Sequence, residues 1–101
     1  MVEEEIITLG NKIDLIGFKI FSGSEMLIIR KMVGNFVKKC MDKSSDFKKL
    51  TLHVKTLHEI ENNRKYEMKA TLEDSKMRHS ESSDKNIFIC LDSILKKLDK
   101  L

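Results

Sequence analysis

The sequence predicts an α+β domain in which two amphipathic helices pack on one face of a four-stranded sheet. Apolar residues recur at the helical period of 3.6 residues in segments 24–42 and 84–101. They alternate with polar residues, as in half-buried strands, in segments 13–21, 49–58, 65–72 and 76–82. The order is therefore β-α-β-β-β-α. Because every element has a single apolar face, two helices covering one side of a sheet is the simplest arrangement.

The length and composition indicate one small domain. The chain has 101 residues, 41% of them hydrophobic, which is enough for a core. We assign residues 13–101 to a single α+β domain and residues 1–12 to an N-terminal arm or an extra strand. No apolar run approaches the roughly 20 residues that span a bilayer, and the acidic start argues against a leader peptide. We therefore expect a cytoplasmic protein without a membrane partner.

The first strand is predicted over residues 13–21. Ile16, Phe18 and Ile20 alternate with Gly17 and Lys19, so these three apolar residues are expected on the buried face. A glycine inside a strand indicates a bulge or the close approach of another backbone. We expect a right-handed crossover to place this strand beside the second one, either parallel to it or at an edge.

The first helix is predicted to start at Ser24 and to end near Met41 or Asp42. Serine is a favoured N-cap, and Glu25 places a carboxylate at the positive end of the helix dipole. Its apolar stripe consists of Met26, Ile29, Val33, Phe36, Val37 and Cys40. Gly34 falls on the polar side, where it weakens the helix by roughly 1 kcal/mol relative to alanine.

Three strands then follow, connected by turns at residues 61–64 and 73–75. The inward residues of the first are Leu50, Leu52 and Val54, and a change of phase at Leu57 indicates a bulge or the end of the strand. The second strand buries Tyr66, Met68, Ala70 and Leu72. The third has a weaker pattern, in which Met77 and His79 are predicted to point inward.

The closing helix has the clearest period in the chain, with Asp84 or Asn86 as its N-cap. Its stripe contains Ile87, Leu91, Ile94, Leu98 and Leu101, widened by Cys90 and Leu95. Cys40 and Cys90 both lie toward apolar faces. We expect them to be reduced and buried, because disulfides are rare in the cytoplasm, and a disulfide between the two helices is the alternative.

These segments resemble the ribosome hibernation factors, the family of hibernation-promoting factor and ribosome-associated inhibitor A, in its short form. The match is strongest in the second half, where two hairpin strands and an acidic linker precede a helix of the pattern aromatic-x-A-I-D-x-x-x-x-K-L. That pattern falls on Phe88, Cys90, Leu91, Asp92, Lys97 and Leu98. The chain departs from the family at Cys90, where a small residue is expected, and at residues 73–75, where a glycine-rich turn is common.

The resemblance covers residues 13–101 and implies a double-stranded-RNA-binding-domain-like fold. It also implies a translation regulator that binds rRNA of the small ribosomal subunit and blocks the mRNA and tRNA sites without catalysing a reaction. The phosphate contacts are expected from the exposed cations of both helices, which are Arg30, Lys31, Lys38, Lys39, Lys96, Lys97 and Lys100.

The residues themselves support an RNA-binding surface but also allow an ordinary solvated one. Lys31 and Lys38 are two helical turns apart and face the same way, whereas Asp92 and Asp99 dilute the charge of the closing helix. The open sheet face is a second candidate surface, with His53, Lys55, Lys65, Lys69, Lys76 and Arg78 beside Glu67. The alternative function is a protein-interaction or self-assembling module, such as a homodimer paired through an edge strand, without RNA affinity.

The sequence gives little support to catalysis or cofactor binding. Phe21-Ser22-Gly23-Ser24 lacks the lysine and the spacing of a phosphate-binding loop. The three histidines form no zinc-ligand motif, since a zinc site needs about four converging ligands. We therefore predict no enzyme, no metal, no cofactor and no small-molecule substrate.

Overall fold

A computed structural model describes residues 5–60 and 63–100, and it shows two helices against one face of a mixed five-stranded sheet. The strands are β1 (Ile6–Leu9), β2 (Ile13–Ile16), β3 (Lys49–Ile60), β4 (Asn63–Glu73) and β5 (Met77–Asp84). The helices are α1 (Gly23–Lys43) and α2 (Ile87–Lys100). The strands lie in chain order, with β2 parallel to β3 and all other neighbours antiparallel. The α+β class is confirmed, but the sheet has five strands and not four.

The additional strand comes from the N-terminal segment. β1 pairs with β2 from Ile6 opposite Ile16 to Leu9 opposite Ile13, across a tight turn. Gly10 adopts a positive φ of 63° in this turn, a conformation that favours glycine. Of the two alternatives for residues 1–12, the extra strand is therefore the one that residues 6–9 adopt. Residues 1–4 lie outside the described part of the chain.

The first predicted strand is shorter than expected. β2 ends at Ile16, and residues Phe18–Ile20 form a single 3-10 turn. Gly17 causes the change, because its φ is 81° and a Cβ there would lie 2.6 Å from the Val54 carbonyl oxygen. The predicted close backbone approach is thus confirmed, while the predicted inward set is wrong in part. Phe18 is fully buried, but Ile20 is 54% exposed and Ile13 and Leu15 take the core positions of β2.

Helix α1 begins slightly before the predicted start. Ser22 is its N-cap: the Ser22 hydroxyl accepts the Glu25 amide N–H, and the Glu25 carboxylate accepts the Ser22 amide N–H at 2.8 Å. This reciprocal capping box satisfies two amide groups that would otherwise lack partners. The predicted stripe is confirmed, with five of its residues buried and Cys40 half-buried.

The central strands follow the predicted pattern. Leu50, Leu52 and Val54 of β3 are buried, as are Tyr66, Met68, Ala70 and Leu72 of β4. The register between β3 and β4 shifts between Thr56 and Glu59, which confirms the irregularity predicted at Leu57. Residues 61–62, at the centre of the predicted turn, lie outside the described residues.

Strand β5 has the opposite phase from the prediction. Arg78 pairs with Leu72 and Ser80 with Ala70, so both face the helices, whereas Met77 and His79 lie on the open face. The sequence pattern failed here because β5 is an edge strand, whose inner positions remain half-exposed and tolerate polar residues. His79, expected inside, is exposed and within 3.3 Å of the Thr71 hydroxyl.

Helix α2 begins after Asn86, whose side-chain oxygen accepts the amide N–H groups of Phe88 and Ile89. The helix packs over β4 and β5, and its predicted stripe is buried from Ile87 to Leu98. Leu101, the last residue of the predicted stripe, is outside the described residues. Both cysteines are free thiols, and Cys90 is fully buried, with its thiol directed at the Ser82 carbonyl. The two helices and the inner sheet face share one hydrophobic core.

Candidate nucleic-acid interface

Among the described residues, the largest surplus of positive charge lies in the two helices. Helices α1 and α2 carry eight lysine and arginine residues against four carboxylates, a surplus of four. Outside the helices the chain has 11 basic and 12 acidic residues, but three of these acids, Glu3, Glu4 and Glu61, lie outside the described residues. The helices therefore carry the larger surplus of positive charge among the described residues, and this surplus attracts an anionic partner to the helical side of the domain.

Helix α1 exposes all four of its predicted RNA-binding residues. Lys31 and Lys38 are about 20° apart around the helix axis and point directly away from the core. Arg30 lies on the flank turned away from α2, and Lys39 lies on the flank turned toward it. Within the described part of the chain, these four side chains make no ion pair with a carboxylate. Their full charge is available to a phosphate.

The lysines of α2 are more constrained. Lys96 forms an ion pair with Asp92 at 2.9 Å, one turn earlier in the helix. Lys97 turns toward the sheet, where its amine donates to the Glu81 carbonyl of edge strand β5 at 2.9 Å. Lys100 is exposed in the last turn. The structure thus separates Lys97 from the outer helical surface.

A groove of about 250 Å³ runs between the two helices and joins their basic residues. Its apolar lining comes from Met32, Phe36 and Leu95, and Lys39 and Lys96 lie at its sides. Asp92 and Asp99 line the same groove, so its rim is charged but nearly neutral. The sequence did not predict that Lys39 and Lys96 would meet, because it could not show how far one helix is displaced along the other.

The open sheet face has a mixed charge. Lys55 lies opposite Glu67 and Lys69 opposite Glu81, so cations and carboxylates alternate across the strands. At the other end of this face, the Asp14 carboxylate accepts from the Lys49 amine at 2.7 Å and from the Thr8 hydroxyl at 3.1 Å. The hydrogen bond from Lys49, aided by that from Thr8, lowers the pKa of Asp14.

Two of the five lysine and arginine residues predicted on the open face lie elsewhere. Arg78 is on the helical side and pairs with Asp74, while Lys76 is in the turn between β4 and β5. The open face is therefore less basic than the sequence predicted. It presents no aromatic ring for stacking a base among its described residues, since Tyr66 is buried on the other face.

Sequence reasoning also missed a cluster at the end of the helices. Lys43 of α1 pairs with Asp99 of α2 at 3.1 Å, and Arg78 pairs with Asp74 at 3.3 Å close by. Lys43 follows Phe36, Lys39 and Cys40 at spacings of seven, four and three residues, so it lies on the same side of α1. This spacing could have predicted the direction of the Lys43 side chain.

Other site types receive no support from the described residues. They contain no group of three or more histidine, cysteine, aspartate or glutamate side chains placed to hold a metal ion. Neither described helix combines the length and the apolar character that crossing a bilayer requires. Comparison of the chain with models of known protein families and with curated proteins gave no match in either case.

Proposed function

We propose that this protein is a ribosome-associated translation regulator that binds rRNA of the small subunit through its helical layer. It acts as a hibernation factor does, by occupying the mRNA and tRNA sites, with no chemical reaction. The observation that carries the proposal is the positive charge of the helices: α1 and α2 have a surplus of four basic residues, which is larger than the surplus of the other described residues.

The arrangement of elements agrees with the family resemblance. β2, α1, β3, β4, β5 and α2 follow the order implied by it, and β1 precedes them. We infer a relation to the double-stranded-RNA-binding domain, in which helices and loops contact the backbone and shape of an RNA duplex. The absence of an exposed stacking platform among the described residues of the sheet face is consistent with recognition of phosphates rather than of unstacked bases.

Helix α1 supplies most of the binding energy in this proposal. Four of its five exposed cations make no ion pair within the described residues, whereas Lys96 already contacts Asp92 and Lys97 contacts the Glu81 carbonyl. A phosphate contact made by a lysine that is already paired contributes less binding free energy, because the existing contact must first be broken. We therefore rank Arg30, Lys31, Lys38 and Lys39 above Lys96, Lys97 and Lys100.

Co-sedimentation with purified small subunits over a series of salt concentrations tests this function. Wild-type protein should pellet with the subunits at about 50 mM salt and be released as salt rises, because binding to phosphates frees counterions. The variant Lys31→Glu with Lys38→Glu should bind at least about tenfold more weakly and reduce the salt slope by roughly 1.5, since each phosphate contact contributes about 0.7–0.9.

The open sheet face provides a matched control. Lys65→Glu with Lys69→Glu makes the same change of charge on exposed residues of β4 and should leave binding nearly unchanged. Equal losses in both variants would indicate a response to net charge alone and contradict the assigned surface. Absence of the wild-type protein from the low-salt pellet would refute the ribosomal function itself.

A further inference from the structure

A cavity of about 260 Å³ opens at the end of the domain where both helices finish. Its apolar floor is made by four buried side chains from α1, the loop before β3, β4 and α2, namely Phe36, Phe47, Leu72 and Leu98. Cys40 and Ser44 complete the wall. The volume is somewhat below the about 300–1,000 Å³ typical of sites for drug-sized ligands, so it suits a small metabolite.

Two ion pairs line the same cavity. The Arg78 guanidinium lies 3.3 Å from the Asp74 carboxylate, and the Lys43 amine lies 3.1 Å from the Asp99 carboxylate. The first pair is the deeper one, because the Asp74 side chain is only 11% exposed and that of Arg78 is 30% exposed. The backbone amide of Lys76 also donates to the Asp74 carboxylate, which holds it in place.

The charges decide which ligands fit. A simple anion would be attracted by Arg78 and Lys43 but repelled by the neighbouring carboxylates. A simple cation would be attracted by Asp74 and Asp99 but repelled by the neighbouring basic groups. A partly buried charge is destabilising when it loses its ion-pair partner. A ligand that binds one residue of each pair must therefore supply an opposite charge to the other residue. Among ligands that insert between the members of these pairs, only one that carries both charges close together leaves all four groups compensated.

We propose that this cavity binds a free α-amino acid with an apolar side chain. Its α-carboxylate accepts from Arg78 and Lys43, and its α-ammonium donates to Asp74 and Asp99. The side chain lies on the floor of Phe36, Phe47, Leu72 and Leu98, where burial of apolar surface adds affinity. The site is separate from the outer surface of α1 proposed for RNA and does not depend on that function.

Cys40 allows binding to be measured without a label. Its thiol lines the cavity, and burial, with a contribution from nearby Asp99, raises the pKa of this thiol. Alkylation of the full-length protein by iodoacetamide, followed by mass spectrometry, should be slow and should slow further when the cavity is filled. Cys90 has no exposed surface and reports unfolding in the same sample.

The probes are L-leucine and L-phenylalanine at up to about 10 mM, a range that detects millimolar dissociation constants. They should slow the alkylation of Cys40 severalfold and shift the amide resonances of Ser44, Phe47 and Arg78. L-leucinamide and N-acetyl-L-leucine each lack one of the two charges, and glycine lacks the side chain, so these three should protect weakly. Protection by leucinamide or N-acetylleucine as strong as that by leucine, or no effect of any amino acid, would overturn the proposal.

Paired variants locate the site. Arg78→Gln with Asp74→Asn removes one cavity pair without changing net charge and should weaken amino-acid binding at least about tenfold, since both charged groups of the ligand lose a charged partner. Lys96→Gln with Asp92→Asn removes a pair outside this cavity and should leave affinity unchanged.

A variant of the more exposed pair, Lys43 and Asp99 at the rim of the cavity, tests the site even if the Arg78 and Asp74 variant does not fold. Lys43→Gln with Asp99→Asn changes side chains that are 66% and 51% exposed, so the fold should tolerate it. This variant should also bind more weakly, by severalfold, with an unchanged amide spectrum elsewhere. Retention of wild-type affinity in the folded rim variant would refute the assigned site even if the deeper variant failed to fold.

Discussion

Replacement of Gly17 by alanine should destabilise the protein by about 3 kcal/mol. A non-glycine residue in the left-handed region costs about 1–2 kcal/mol, and Gly17 has a φ of 81°. The new Cβ would lie 2.6 Å from the carbonyl oxygen of Val54, a backbone atom of central strand β3. Such overpacking typically lowers the free energy of unfolding by about 1–3 kcal/mol. The reduced entropy of the unfolded chain with alanine raises it by about 0.4–1 kcal/mol.

Two other glycines separate these contributions. Gly10 has a φ of 63° but open space around its would-be Cβ, so Gly10→Ala measures backbone strain alone and should cost about 1 kcal/mol. Gly34 lies in α1 with neither a positive φ nor a near neighbour, so Gly34→Ala should stabilise the protein by roughly 1 kcal/mol.

Urea unfolding followed by circular dichroism provides the measurement for all three variants. A loss of 3 kcal/mol corresponds to a fall of more than about 12 °C in the melting temperature of a domain of this size. If Gly17→Ala and Gly10→Ala lowered the free energy of unfolding equally, the close approach of Val54 to Gly17 would add nothing to the cost of the alanine side chain. The explanation given for the early end of β2 would then be wrong.

The remaining predictions concern α1, the sheet face and the cysteines. Ser22→Ala should cost about 1 kcal/mol in urea unfolding by removing the capping box, whereas Ser24→Ala, at the helix start predicted from the sequence, should be nearly neutral. Because the pKa of Asp14 is lowered in the folded state, its contribution is present above about pH 3.8 and is lost as the pH falls through the folded pKa. Asp14→Asn should therefore flatten the acid side of the stability profile, and an unchanged profile would contradict the Lys49 contact. In folded protein, half-buried Cys40 should alkylate at least about tenfold faster than Cys90, and comparable rates would contradict the packing of α2.

The agreement between sequence and structure follows the strength of each local pattern. The stripes of both helices and the inward residues of β3 and β4 were predicted correctly, because these elements are strongly buried on one side. β5 and β2 were predicted less well, for different reasons. β5 lies at an edge, where Ser80 and Ser82 can occupy inner positions, and in β2 the position of Gly17 was known but its left-handed conformation was not.

The candidate surfaces show the same division. Exposure of Arg30, Lys31, Lys38 and Lys39 followed directly from helical spacing, since a residue's side of a helix is fixed by its number. The partners of Lys96, Lys97 and Arg78 did not follow, because they depend on side-chain direction and on contacts with other elements. The cavity between Phe36 and Leu98 could not be predicted either, since four elements, the loop before β3 and the turn before β5 all contribute to it.

Local sequence patterns are sufficient to predict the α+β class, the order of the predicted elements, the buried faces of both helices and the inward faces of β3 and β4. Periodicity carries this information because local backbone geometry sets which residues share a side. Four features became evident only from the folded chain: residues 6–9 join the sheet, β2 ends before Gly17, Arg78 faces the helices, and two ion pairs line one cavity. These features depend on strand register and on the contacts between distant segments, and a one-residue change of phase reverses every side chain in a strand.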